Sequence, residues 1–565
     1  MPFHAPVEDF RFILEHVIGF SDVTATARHA EMTSDVTDAI LNEAARMCDD
    51  ILAPLNRAGD LTPARLENGI VRTSPGYAEG YRAIATGGWV GMAAAETHGG
   101  MGLPMALATC VNEMMGGACL ALQLNPLMTQ AEIEALEHHA SPELQALYLP
   151  KLISGEWCGT MNLTEPQAGS DVGALRTKAE PDGEGTYRIT GQKIYITWAD
   201  NDFSDNVAHM VLARLPDGAP GTKGISLFLV PKLIPDASGT PGVPNSLRVV
   251  SLEHKLGIHG SPTAVMEYDG AKGWLVGEPH AGMAAMFTMM NTARLGVGSQ
   301  AVGVAEAATQ AALAYAMERK QGRVGGSGAI VEHADVRAML ARMRAETFAA
   351  RAITLACAKA IDLGREGRAA ETARAALLTP IAKAFGTETG INVADLGIQV
   401  HGGMGFIEET GAAQFLRDAR ITAIYEGTNG IQAMDLVGRK MMDGGEAAFT
   451  LIDEIEAGAK AVRETVPDLA EPVWQAAETM REATEWLVGR EVSERFAGGM
   501  PYLRAFARLL GAHYHLQAAQ AGNGKRKRLA AFYIQRMLPE MSAHLMALRA
   551  GPECVMALGA EDLVP

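Results

Sequence analysis

The sequence predicts a mostly helical protein with a central antiparallel β domain, and three observations carry that expectation. Apolar residues recur at helical spacing before about residue 157 and again after about residue 280. Between them, short β-branched and aromatic runs alternate with Pro- and Gly-rich loops. Aromatic residues make up only 6% of the chain while Gly (61) and Met (29) abound, which favours packed helices over a large β-sandwich.

A chain of 565 residues is too long for one core. The expected division is an N-terminal helical domain (1–157), a β domain (158–279), a helical bundle (280–445) and a helical extension (446–565). In the first, Phe10, Phe12, Ile13, Val17 and Ile18 mark one amphipathic helix, and Ile40 to Leu55 another. Gly99-Gly100 and Gly116-Gly117 punctuate them. Met114 to Ala131 lacks charge but is broken by Gln123, Asn125, Pro126 and Gln130, so it reads as a buried helix with a bend, not a membrane span.

In the second, Thr186–Thr190 and Lys193–Thr197 flank Gly191-Gln192 as an expected hairpin. Val207–Ala213, Ile225–Val230 and Ala264–Tyr268 are further strands. No helix of crossover length separates them, so antiparallel pairing follows. Helix returns near Gly282. Val331 to Leu363 is one long amphipathic helix, and a second spans about 370–400 with an interruption near Pro380. Pro467, Pro472 and Pro501 break the extension, and Lys525–Arg528 reads as a solvated helix start or loop.

Forty-eight basic against 66 acidic residues give a net charge of −18, which excludes a nucleic-acid partner as the expectation. The six cysteines are scattered without a C-x-x-C pair, so no zinc site or disulfide framework is indicated, and a reducing cytosol fits. The N-terminus lacks a basic-then-apolar signal segment. The expected location is cytoplasmic, without stable membrane insertion.

Five segments carry candidate chemistry. Met161 to Gly173 (MNLTEPQAGSDVG) joins a strand to a hydroxyl- and glycine-rich loop; Thr164 and Ser170 could grip a planar ring or a phosphate, or the segment is an ordinary Glu-Pro turn with a helix cap. Lys193 to Trp198 could stack on a ring and bond its edge, although by itself it is a common half-buried strand. Met317 to Arg323 places Arg319, Lys320 and Arg323 beside a glycine, for phosphate or as a charged helix end. Gln399 to Phe406 has glycines at 402, 403 and 405 that permit close backbone approach. It is not a full G-x-G-x-x-G, and with no G-x-S-x-G in the chain its His-Gly-Gly is weak support for a hydrolase. Ile424 to Gln432 sets Glu426 inside an apolar run, where a raised pKa or a plain helix-start acid are both open.

Taken together, in this order and spacing, T-E-P-x-A-G-S-D, x-I-T, E-R-K-x-G, Q-x-x-G-G-x-G and Y-E-G-T resemble the acyl-CoA dehydrogenase family over about residues 40 to 445. The C-terminal extension is similar to that of the longer subgroup acting on 3-methylthiopropanoyl-CoA in dimethylsulfoniopropionate demethylation, and of its broad-range relatives. The resemblance implies FAD as cofactor, with Met161, Leu163, Thr164 and Ser170 lining the flavin, Thr197 bonding its N5 edge and Tyr195 packing on the ring. It implies that Arg319 pairs with the pyrophosphate of a neighbouring subunit's flavin and that Gln399 and Gly403 touch the same nucleotide. Thr428 would contact adenosine; Gly430 departs from the Gln many relatives carry there, leaving Asn429 as the candidate. Ser170 would lie near the CoA arm and Arg294 beside the base.

Glu426 matches the catalytic base. A thioester α-proton is too weakly acidic for a carboxylate in water, so the site must stabilise the enolate oxygen, which the family does with the base's own backbone N–H and a flavin hydroxyl, and must desolvate the carboxylate. The β-hydride goes to flavin N5. Electrons then pass to an electron-transfer flavoprotein. A homodimer or dimer of dimers is implied. The alternatives are short- or medium-chain β-oxidation substrates, an oxidase using oxygen, or a non-catalytic flavin-binding protein. Met114, Met115, Leu120, Leu122 and Met128 either line the acyl pocket or pack the core.

Overall fold

A computed structural model describes residues 3–322 and 326–565. Arg323, the last cation of the third segment, lies outside the described residues.

Four long helices form the body: α1 (Met105–His139), α2 (Gly282–Glu318), α3 (Ala334–Arg365) and α4 (Ala369–His401). Pro104 offers α1 no side-chain cap. Asp362 of α3 supplies one instead, accepting from Met105 N at 2.6 Å and Ala106 N at 3.0 Å. The expected bend in α1 is present, but at Cys119 (φ −158°, ψ 87°), not at Pro126. By length and composition α1 could cross a membrane; its apolar window is entirely buried in protein. Met114, Met115, Leu120, Leu122 and Met128 are all buried core residues.

Helices α2 and α4 run side by side in the same direction along a seam of small residues: Gly298 packs on Ala382, Gly390 on Ala301 and Gly397 on Ala308. Larger side chains there would push the backbones apart. α4 is continuous through Pro380, against the expected interruption. Burial along the helix outweighs one lost backbone bond.

The β domain is a seven-stranded sheet: β1 (Trp157–Asn162), β2 (Lys178–Pro181), β3 (Thr186–Thr197), β4 (Asn206–Arg214), β5 (Ile225–Pro231), β6 (Leu247–Leu252) and β7 (Thr263–Val276). Its order is β6-β7-β3-β2-β4-β1, and β5 pairs with both β7 and β4, closing a ring of five strands. Two expectations are corrected. The sheet is mixed, because β1 runs parallel to β4; the intervening excursion through β2 and β3 reverses the chain twice, so no crossover helix is needed. The expected hairpin is one strand, β3, paired along its length with β7. Gly191 does not turn the chain; it admits Thr177, whose Oγ1 would lie 2.4 Å from a Cβ at that position.

In the extension, α6 (Gly499–Ala521) packs against α3 and against α5 (Asn429–Val437). The basic run starts the helix Gly524–Phe532, with Lys525, Lys527 and Arg528 exposed as expected; Arg526 is half-buried, pairing with Asp9 near the N-terminus at 2.5 Å and stacking on Phe12. Asp9 belongs to a buried cluster centred on Arg351, which bonds Glu113 at 2.7 Å and Glu306 at 2.8 Å and lies 3.3 Å from Asp9. Arg344 joins both Glu306 and Asp9. The N-terminal helix, α1, α2, α3 and the extension thus share one charge network.

Candidate active site

Glu426 and Gly427 both adopt left-handed backbone (φ +56° and +83°) just before α5. For a non-glycine residue this costs about 1–2 kcal/mol and persists only when neighbours enforce it. The neighbours are visible. Arg294 Nε (3.4 Å) and Gln432 Nε2 (3.2 Å) donate to the Glu426 carbonyl. Lys383 Nζ (3.0 Å) and Gln432 Nε2 (3.2 Å) donate to the Gly427 carbonyl. Thr428 caps α5 by accepting from Ile431 N at 3.3 Å. Among the described residues no protein acceptor takes the Glu426 backbone N–H.

Burial pushes the Glu426 carboxyl up to about 7, against the opposing charges of Arg294 and Lys383. Arg294 is itself buried, with Asp435 of α5 3.7 Å from its Nη1. Tyr425, beside Glu426, donates to Gln300 Oε1 at 2.7 Å. From there amides follow in series: Gln300 to Gln123, Gln123 to Asn112 (3.1 Å), Asn112 to Gln130 (3.0 Å) and Gln130 to the Trp89 carbonyl (3.0 Å). Asn112 and Gln130 line a cavity of about 340 Å³ between α1 and α2, bounded also by Leu127, Ile133, Leu295 and Gly296.

The second group of expected residues lies on the β domain. Met161 is near the end of β1, and Leu163, Thr164 and Ser170 follow in the loop. The loop is pinned to β3: Ile194 N donates to the Thr164 carbonyl (2.9 Å), and Lys193 Nζ donates to the Leu163 carbonyl (3.0 Å) and to Glu165 Oε1 (2.9 Å). The β3–β7 register slips between Met266 and Ala264, and at this bulge Tyr195 (φ +61°) turns its ring outward, 61% exposed. Thr197 ends the strand, half-buried. Among the described residues, the hydroxyls of Thr164, Ser170 and Thr197 make no bond within the chain. An exposed ring and unpaired hydroxyls on a strand and the loop pinned to it suit a planar, polar-edged cofactor.

The two groups converge on α1. Trp198, after Thr197, donates Nε1 to the Ala121 carbonyl at 3.0 Å, and Gln123, two residues on, belongs to the amide series that ends at Tyr425. The kink at Cys119 loosens the helix where Trp198 docks. A further tie, Ile258 N to Asp418 Oδ1 at 2.5 Å, joins the β domain to the helix leading to Glu426.

Arg319, Gln399 and Gly403 are elsewhere. All three are exposed at the common C-terminal end of α2 and α4. Twenty-five helical residues separate Arg319 from Arg294, about 37 Å at 1.5 Å each. Asn429 is buried, its amide engaged by Lys383, Thr387 and the Ala384 carbonyl, so it does not face outward.

Sequence reasoning missed Lys383, Gln432, Asp435, Glu165 and Lys193. Lys383 and Lys193 stand in apolar or alternating runs, and a lysine there was the available signal, because a buried ammonium needs partners.

Comparisons with known proteins agree with this architecture. The chain matches the family models described as acyl-CoA dehydrogenase N-terminal domain (34–156), middle domain (160–271) and C-terminal domain (280–442), and acetyl-CoA dehydrogenase C-terminal like (451–559). It is 45% identical over 524 residues to a 3-methylmercaptopropionyl-CoA dehydrogenase of Ruegeria pomeroyi, covering 89% of this chain and 88% of that one. It is 37% identical over 445 residues to a butyryl-CoA dehydrogenase of Syntrophomonas wolfei (75% and 73%). In fold it is similar to an acyl-CoA dehydrogenase complexed with FAD from Bacillus anthracis, with a TM-score of 0.76 and 21% identity over 92% of this chain and 89% of that one. With these matches and the Tyr-Glu-Gly-Thr turn braced by Arg294, the chain belongs to the acyl-CoA dehydrogenase family.

Proposed function

We propose that the protein uses FAD to oxidise 3-methylthiopropanoyl-CoA to its α,β-unsaturated thioester, with Glu426 as the base. The observation that carries the reading is Glu426 itself: a carboxyl raised to about 7 by burial, in a left-handed turn that three side chains enforce. The substrate rests on the 45% identity to the Ruegeria enzyme.

The cofactor is FAD. Thr164, Ser170 and Thr197 offer hydroxyls to its ring, Met161 and Leu163 an apolar floor and Tyr195 a stacking face. When bound, it accepts the hydride from the substrate's β-carbon. Glu426 takes the α-proton. Its desolvated carboxylate is a stronger base than one in water, and its backbone N–H, without an acceptor among the described residues, is left to hold the developing enolate oxygen. Ser170 lies on the loop that would meet the CoA arm, and Arg294 fixes the base turn. Arg319, Gln399 and Gly403 are too far along their helices to reach the flavin held beside Glu426 in their own chain. Their exposure suits contact with a partner's flavin, hence a homodimer or a dimer of dimers. The protein is cytoplasmic, hands its electrons to an electron-transfer flavoprotein, and divides at 157, 279 and 445.

The test is flavin bleaching by methylthiopropanoyl-, butanoyl-, octanoyl- and palmitoyl-CoA. Bleaching fastest with the first supports the proposal. Preference for butanoyl-CoA would favour the second reading, a short-chain β-oxidation enzyme, which the 37% identity to butyryl-CoA dehydrogenase motivates. Absence of bleaching with all four would overturn both. Peroxide formed without a mediator would mark an oxidase.

A further inference from the structure

Lys383 has no exposed surface, yet its ammonium lies under the base turn, halfway along α4. Nζ donates to the Gly427 carbonyl and to Asn429 Oδ1, both at 3.0 Å. Asn429 is held in turn by Thr387, at 3.1–3.2 Å, and by the Ala384 carbonyl at 3.3 Å. Burying an ammonium costs several kcal/mol, and a neutral amide could donate the same bonds. The charge therefore calls for a counter-charge.

Accounting for the charges around it leaves one carboxylate. From α2, Arg294 faces the turn and lies 3.7 Å from Asp435 of α5. Asp435 is also taken by Arg439 at 2.6 Å. Glu388, further along α4, is held by both arms of Arg504, at 2.9 and 2.8 Å. Glu426 alone, among the described carboxylates that act on Lys383, has no ion-pair partner.

We propose that Lys383 is the positioning residue of the catalytic base: it fixes the Glu426–Gly427 turn through the Gly427 carbonyl and adds its positive charge to that of Arg294 opposite the Glu426 carboxylate. Burial brings Lys383 down to about 7 and Glu426 up to about 7, and each charge works against the other's shift. A neutral side chain at 383 leaves the carboxylate with Arg294 alone. The base then stays protonated to higher pH.

The inference rests on Glu426 as the base, but its test does not need turnover. The FAD-loaded full chain is labelled with carboxyl-13C glutamate, and Glu426 is assigned by difference from Glu426→Gln. Its titration is followed in wild type, Lys383→Gln and Lys383→Met. Lys383→Gln keeps a donor to Gly427 and loses the charge; Lys383→Met loses both. In each variant the Glu426 acid dissociation constant should fall about tenfold or more, and the rising limb of kcat/KM should move to higher pH with it. Lys383→Met should lose further kcat as the turn loosens. If Lys383→Met does not fold, Lys383→Gln carries the test. A folded Lys383→Gln whose Glu426 titration and pH profile match wild type overturns the proposal. If wild type fails to bleach with any acyl-CoA, the functional reading falls, while the carboxyl titration still judges Lys383.

Discussion

Lys193 Nζ lies 2.9 Å from Glu165 Oε1, both side chains all but closed to solvent, and this pair bolts the loop bearing Thr164 and Ser170 to the strand bearing Tyr195 and Thr197. Glu165 also accepts from Arg176 N (2.6 Å), Thr177 N (3.0 Å) and Thr177 Oγ1 (2.6 Å). One carboxylate therefore sets the spacing between the two halves of the proposed flavin site.

Glu165→Ala should leave a buried ammonium unpaired, destabilising the chain by about 3–5 kcal/mol and releasing FAD more than tenfold faster. Thermal unfolding and flavin fluorescence check both. Burial works to raise Glu165, but the Lys193 charge and the donors around the carboxylate hold it down at about 2. A carboxyl lower in the folded than in the unfolded state stabilises above the unfolded value, about 4, and that stability is lost as pH falls towards 2. Flavin release on acidification should follow that window and should be absent from it in Glu165→Gln.

Glu426 has the opposite sign. Its folded value, about 7, is above the unfolded value near 4, so the ionised carboxylate weighs against folding at pH 8. Glu426→Gln should abolish turnover by orders of magnitude, keep the bound flavin, and raise stability at pH 8 by on the order of 2 kcal/mol, with little gain at pH 4. Denaturant titrations at the two pH values decide this. In wild type, kcat/KM should rise through about pH 7 and level above it.

Arg351 tests the charge network. Removing it by Arg351→Met leaves Glu113, already raised to about 7 by burial, and Glu306 without their shared cation. A loss of about 3–5 kcal/mol is expected, measured as a fall in Tm, with flavin content per folded chain unchanged.

Gln300→Met cuts the amide series between Tyr425 and Gln123. Two buried polar groups lose partners, which costs about 1–3 kcal/mol each at most. The tyrosine beside Glu426 becomes free to move, so kcat should fall several-fold while KM changes less. Stopped-flow bleaching separates the two.

Much of this was legible in the chain. The Tyr-Glu-Gly-Thr and Thr-Glu-Pro segments marked the Glu426 turn and the loop bearing Thr164, because local residue types encode local backbone: a glycine after Glu426 admits the left-handed turn, and Thr428 caps the helix that follows. The order of helical and β regions followed from apolar periodicity, which is also a near-neighbour property.

What failed was decided at a distance. The hairpin at Gly191 became a straight strand because Thr177 needed the space, and α4 ran through Pro380 because its neighbours buried it. The parallel β1–β4 pair depends on a partner some 50 residues away, which no local pattern specifies. The sequence by itself determined the order of helical and β regions and the motif segments of the family. Only the tertiary structure decided which charges meet there, because Lys383, Arg294 and Asp435 come from three different helices. The free energy of a buried charge depends on those neighbours, not on the residues beside it in the chain.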